Sequence, residues 1–273
     1  MGTTNRRYDL YAIIFVFLLA IVLEYREAFS LIEDETLSYR QLARTYFGDP
    51  EYTLPSDHVV IVYTDEVFYD EYGKYPLTRT DLARLIRSLS GMGASVIGVD
   101  MLLDFHSAYD EDPVLASALA EAGNVLLVSQ AQFEGDEFSH VNTAIEQFDE
   151  VTRSGYSNIS SNSAIAQTMV RLRIYPEIVN EEDQWPFAVE AVSMYLDEEP
   201  KLEDGVLTIG EAVEVQLDQF SDMYIDYPLL PPSADGLTTS PLHRVAGVGL
   251  PASEILFAFD EAELEDLGYL VKG

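Results

Sequence analysis

HVVIVYTDE (58–66), TRTDLARLIRSLSGMG (78–93) and ASVIGVDMLLD (94–104) are successive pieces of one stretch that decides the fold. Two runs rich in valine and isoleucine flank a segment in which Leu82, Leu85, Ile86 and Leu89 share one helical face. Thr78, with Asp81 three residues on, forms the approximate capping box that starts this helix, and Gly91 and Gly93 end it. The pattern predicts a strand, a crossover helix and a parallel strand. Asp65 and Glu66 end the first strand, and Asp100 and Asp104 follow the second. Ligands of open α/β sheets sit beyond such carboxyl ends.

Outward from this unit, Asp112-Pro113 reads as an N-cap followed by proline at the first helical position. Val114, Leu115, Ala118, Leu119 and Ala122 then give a small-residue face, and Asn124 to Gln130 reads as a third buried strand. Two right-handed crossovers are therefore expected to build a parallel sheet. Val141 to Val151 reads as helical. Met169 to Tyr175 alternates, with Val170, Leu172 and Ile174 on one face and Arg171 and Arg173 on the other. Trp185-Pro186 opens a helix to about Leu196, and Gly205 to Leu217 reads as a hairpin turning at Gly210-Glu211. A strand over Asp222 to Tyr227, a loop over Leu229 to Pro241 and a short helix over Pro251 to Phe257 complete the pattern. The fold class is α/β: a parallel sheet of βαβ units with β-hairpin additions.

Composition narrows the partners. The 48 acidic residues against 15 basic ones give a net charge of -33, which repels a nucleic-acid backbone. Lysine occurs only at Lys74, Lys201 and Lys272, and the acidity fits either plain solubility or a high-salt habitat. There is no cysteine, so disulfides and thiolate sites are excluded.

The N-terminus carries Arg6 and Arg7 before an apolar run from Leu10 to Leu23. At ~1.5 Å per residue the run spans about 21 Å against a hydrocarbon core of ~30 Å. A cleaved signal peptide and a buried core helix compete with a signal anchor that recruits Tyr8, Asp9, Glu24 and Arg26 at its ends. The anchor is the expectation, with lipid contacts over Leu10–Leu23, the N-terminus cytoplasmic and the remainder outside. A long juxtamembrane helix follows. Ala28, Ile32, Glu35, Tyr39, Leu42 and Tyr46 recur at alternating spacings of four and three, a seam for a parallel homodimer or for packing on the chain's own domain. Three segments result: tip and anchor over 1–25, juxtamembrane helix over 26–50, and the globular part over 51–273.

Catalytic templates are absent: no glycine-rich phosphate loop, no GxSxG and no HExxH. His58, His106, His140 and His243 suit no metal spacing. Asp100, Asp104, Asp110, Glu111 and Asp112 are dense enough for a hard cation but lack a calcium-loop pattern. Asp65 and Asp100 suit an acid–base pair, a ligand's polar groups, or an ion pair with Arg79. Arg171 and Arg173 suit an anionic ligand or salt bridges to neighbouring acids. No cofactor is expected in this segment.

The stretch VVIVYTDEVFYDEYGKYPLTRTDLARLIRSLSGMGASVIGVDMLLDF resembles the opening of the second CHASE subfamily, extracellular sensory domains associated with cyclases and histidine kinases. Asp65-Glu66, Gly73, Pro76, Arg79, Asp100 and Phe105 carry the likeness. DEDPVLASALAEAGNVLLV, Gly155 and Asn158, VRLRIYPEI, WPFAVEAVSMYL, MYIDYPLL, ASEIL and GYLVKG continue it over roughly residues 30–273. The chain departs from the pattern at NSAIAQTM, where an Asp-x-Asp-Gly turn is usual, and at Leu77, where tryptophan is usual. It also lacks the serine expected near Phe68. The resemblance implies a non-catalytic sensory segment of a receptor in the bacterial cell membrane, cut before its last strand. An unidentified extracytoplasmic cue and a cytoplasmic effector beyond residue 273, first of all an adenylate cyclase, would complete it. The rival expectations are an exported metal-dependent hydrolase using Asp65, Asp100 and Asp104, and an envelope protein of a high-salt organism.

Overall fold

The computed structural model describes residues 3–25, 30–47, 56–135, 137–158, 161–162, 169–225, 246–258 and 261–271. Two helices lead the chain, α1 (Thr3–Tyr25) and α2 (Ser30–Phe47). In α1 the large apolar side chains from Leu10 to Val22 are all exposed, none of them less than 45%. Among the described residues no helix is long and apolar enough to cross a membrane, so a complete span at α1 is not supported.

The globular part starts with β1 (Ser56–Tyr63), α3 (Glu66–Tyr72), α4 (Arg79–Met92) and β2 (Ile97–Val99). Thr78 caps α4 as its sequence predicts: its hydroxyl accepts from the Asp81 amide at 3.1 Å and donates to the Asp81 carboxylate at 2.9 Å. Tyr72 adds a 2.6 Å bond to the same carboxylate. Together these bonds and Arg84 outweigh burial and hold Asp81 below the usual carboxylate range. Then come α5 (Asp112–Ala122), β3 (Val125–Glu134) and β4 (Glu137–Asn142).

The first crossover differs from its expected pairing. β2 pairs β3 in parallel, Val99 opposite Leu127, whereas β1 pairs in parallel with β12 (Ala246–Pro251), Val62 opposite Leu250. Among the described residues β1 and β2 belong to separate hydrogen-bonded sheets. The cause lies in α4, which is apolar on two sides. Leu82, Ala83 and Ile86 pack with Ile97, Val99, Leu115, Leu119 and Phe148. Leu85 and Met92 pack instead with Phe68, Leu250 and Ile255. The helix thus joins two cores, one over each sheet, where a single parallel sheet needs only one. Each fully buried aliphatic side chain contributes ~1.5–3 kcal/mol, so both faces are strongly held.

The second crossover is as expected. β3 also pairs in parallel with β5 (Arg153–Tyr156), and its outer half pairs antiparallel with β4. Val141, expected in a helix, lies in β4, and helix there is limited to α6 (Glu146–Asp149). Val141 and Phe138 pack around Ala131, Tyr156 and Ile178, a cross-strand environment that outweighs the helical spacing.

Two smaller sheets follow. β6 (Ser161–Asn162), β7 (Met169–Arg173) and β11 (Asp222–Tyr224) form one, antiparallel throughout. β8 (Pro200–Glu203), β9 (Val206–Ile209) and β10 (Val213–Gln216) form the other, with the expected hairpin turn at Gly210. Between them run α7 (Pro176–Glu182) and α8 (Phe187–Leu196). After β12 come α9 (Ala252–Leu256) and α10 (Glu261–Val271). Leu264, Leu267 and Val271 of α10 pack onto the core beside Met92. The loop expected over Leu229 to Pro241 lies outside the described residues.

Candidate functional site: buried arginines and their carboxylates

The alternation in β7 is the starting point. Ile174 and Leu172 enter a core with Trp185, Val189, Leu207 and Ile209. Arg171 and Arg173 therefore share the opposite face. A buried guanidinium needs partners for its charge and donors, and the neighbouring strand supplies one. Asp222 stands opposite Arg173 in the register, and Tyr224 opposite Arg171. Asp222 is fully buried and takes the Arg173 fork in two bonds, Nε to Oδ1 at 2.7 Å and NH2 to Oδ2 at 2.8 Å. Its position is set by Asp218, whose carboxylate accepts from the Phe220 and Asp222 amides.

Arg171 reaches further. Its Nε donates to Asp34 Oδ1 of α2 at 2.6 Å, with side-chain exposures of 4% and 3% for the two partners. NH2 reaches Glu33 at 3.3 Å and NH1 reaches Asp222 at 3.5 Å. The guanidinium carbon lies 5.3 Å from the Tyr224 ring centroid, a cation–π distance. Burial alone would lower the basicity of Arg171. The bond to Asp34, with the charges of Asp34 and Asp222 and the Tyr224 hydroxyl, outweighs it and raises it. Helix α2 is thus fastened to the sheet by a buried ion pair. Arg171 and Arg173 take the salt-bridge alternative read from the sequence, with carboxylates of the chain itself around them.

The network continues toward the parallel sheet. The Tyr156 hydroxyl, at the end of β5, accepts from the Tyr175 amide at 3.0 Å and donates to the Arg173 carbonyl at 3.5 Å. Burial pushes its phenol up. One residue earlier, a Cβ on Gly155 would stand 2.8 Å from the Phe187 Cα, so only glycine fits where α8 crosses. Asn158 clamps Ala131 through both backbone groups, at 2.7 and 2.8 Å. The Gly-x-x-Asn segment noted in the sequence therefore joins β5, β3 and α8.

The acids at the strand ends are placed apart. Asp65 caps α3, accepting from the Phe68 amide at 2.8 Å, and Glu66 is the first residue of that helix. Asp100, Asp104 and Asp110 are exposed. Arg79 does not pair with Asp65 or Asp100. It is 3.6 Å from Asp112, donates to the Phe105 carbonyl at 3.0 Å, and stacks against Phe105 and Phe148. Burial lowers its basicity; Asp112, Glu111 and Asp104 oppose that only in part. The partner differs because Asp112 is the first residue of α5 and not its cap. Its carboxylate turns back to accept from the Ser107 amide at 3.1 Å and to meet His106 Nδ1 at 3.0 Å. Among the described residues no three of His, Asp and Glu are grouped to hold a metal ion.

Sequence reasoning missed Asp34 and Asp222 as partners. Asp34 carries one signal: it stands two residues from Ile32, on the opposite side of its helix. It also missed Glu190, buried on α8 and bonded to Arg153, whose pKa burial raises against the pull of that arginine. Of the expected seam, Ile32 and Tyr39 are exposed; Ala28 and the side chains of Leu42 and Tyr46 lie outside the described residues.

Of the known protein families, the CHASE2 domain matches residues 12–266. No curated protein matches the chain, and no solved structure does.

Proposed function

The chain belongs to the CHASE2 family of extracellular sensory domains found in cyclase- and histidine-kinase-associated receptors, and from that premise we propose that it senses an extracytoplasmic cue and passes it through α2. The observation that carries this reading is the buried Arg171–Asp34 pair. It ties α2, which precedes the globular part in the chain, to the strand face that a shift in β7 or β11 would move. A helix fastened by one buried charge pair has two well-separated arrangements, docked and released. A cue acts by preferring one of them.

In this reading α1 holds the chain at a bacterial cell membrane, with the N-terminus cytoplasmic. The exposed apolar side chains along α1 support this. The effector regulated is a cytoplasmic nucleotide cyclase beyond residue 273. The segment itself binds no cofactor and turns nothing over.

Two measurements test the reading. The full chain, expressed in bacteria, should stay with membranes through alkaline washing, and external protease should reach the globular part but not the N-terminus. In a receptor carrying a cyclase, Asp34→Asn should change basal cyclic-nucleotide output while the globular part stays folded. A chain released from membranes, or unchanged output, contradicts it.

A further inference from the structure

The Asp34–Arg171 bond fixes which side of α2 faces away from the domain. At ~100° per residue, Ile32, Thr36, Tyr39 and Ala43 lie about 140–180° from Asp34. Ile32 and Tyr39 are 63% and 50% exposed, and Thr36 and Ala43 are exposed as well. No charged residue falls in this stripe, in a chain of net charge -33. The one hydroxyl on its aliphatic part is satisfied within the helix, since Thr36 donates to the Ile32 carbonyl at 2.6 Å.

The spacing 32, 36, 39, 43 alternates four and three, the seam of a coiled coil. It is not the seam expected from the sequence, which centred Glu35 and Leu42. Docking through Asp34 turns the helix so that Glu35 moves to one flank and Arg40 to the other. Positions five apart on opposite flanks face each other across two parallel helices, the e and g pairing that sets partner and orientation. Glu35 and Arg40 have opposite charges.

We propose that α2 pairs in parallel with α2 of a second copy through Ile32, Thr36, Tyr39 and Ala43, with Glu35 facing Arg40 across the pair. The proposal rests on the reading that α1 holds the chain at a membrane, because two copies anchored alike present their α2 helices side by side and in the same direction. The seam is short, so membrane confinement supplies effective concentration. The same helix then has two faces in use, one to the domain and one to the partner, and releasing Asp34 would turn the seam.

The absence of cysteine makes the test direct. In the full chain, single Thr36→Cys, Ala43→Cys, Arg44→Cys and Ser95→Cys variants are oxidised in isolated membranes. Disulfide-linked dimers should form several-fold more at positions 36 and 43 than at 44 or 95. Glu35→Arg should lower the yield at Ala43→Cys, and adding Arg40→Glu should restore it. Equal yields at all four positions, or no dimer in protein retained by membranes, overturn the seam. Membrane retention of each variant is measured alongside; its loss overturns the anchoring reading, and the seam with it.

Discussion

Arg171 Nε lies 2.6 Å from Asp34 Oδ1, and the two residues are 137 positions apart in the chain. Each is almost entirely withdrawn from water, so each charge needs a partner. Removing one member of such a pair costs ~3–5 kcal/mol. Arg171→Met should lower unfolding free energy by about that amount, measured by urea denaturation, because Asp34 and Asp222 both lose a cation. Asp34→Asn should cost less, since Arg171 keeps Asp222 and Glu33.

Arg79 makes a different kind of lock. It combines a 3.6 Å approach to Asp112, a carbonyl bond and two ring faces. Arg79→Ala should cost roughly 3 kcal/mol by orphaning a buried carboxylate. Arg79→Lys should recover less than half of the thermal midpoint, because an ammonium cannot lie flat between Phe105 and Phe148 while reaching both acceptors. Full recovery by lysine would show that charge alone matters there.

Two glycines give opposite expectations. Gly155→Ala forces a methyl into the Phe187 backbone at 2.8 Å and should destabilise by ~1–3 kcal/mol through overpacking. Gly91 lies within α4 and has nothing within 4 Å of an added Cβ. Gly91→Ala should therefore stabilise by about 0.5–1 kcal/mol. Thermal midpoints of the pair, measured together, decide this.

These contrasts mark what was legible beforehand. Thr78, Gly93, Trp185 and Gly210 act locally, as caps, openings or turns, and local chemistry is written in neighbouring residues. Helices α4, α5 and α8, the second crossover and the Arg171/Arg173 face were read from periodicity for the same reason. The partners of Arg79 and Arg171 were not, because pairing depends on which strands meet. β1 was expected beside β2 because one apolar face of α4 was counted where two exist. Glu190, buried on α8 beside Arg153, left no spacing that separates it from a surface acid.

Glu190 also gives a pH dependence. Burial raises its folded pKa above the usual glutamate value. A group raised on folding favours the folded state fully below its unfolded pKa, and that contribution is lost as pH rises through the folded pKa. Glu190→Gln should thus remove a stability loss that begins above about pH 4.5. Stability curves for the two chains should diverge from there toward neutral pH, the variant being the more stable. A variant less stable at pH 7 would show that the Arg153 bond outweighs the burial.

The buried Arg171–Asp34 pair is what holds α2 to the sheet. Amide hydrogen exchange along residues 30–47 tests it most directly, comparing the native chain with Asp34→Asn and with Arg171→Gln. The expected result is faster exchange in α2 in both variants, with the amides of β3 still protected in Asp34→Asn. Unchanged protection of α2 in Asp34→Asn would contradict the claim, because the helix would then be held by something other than the Asp34–Arg171 bond.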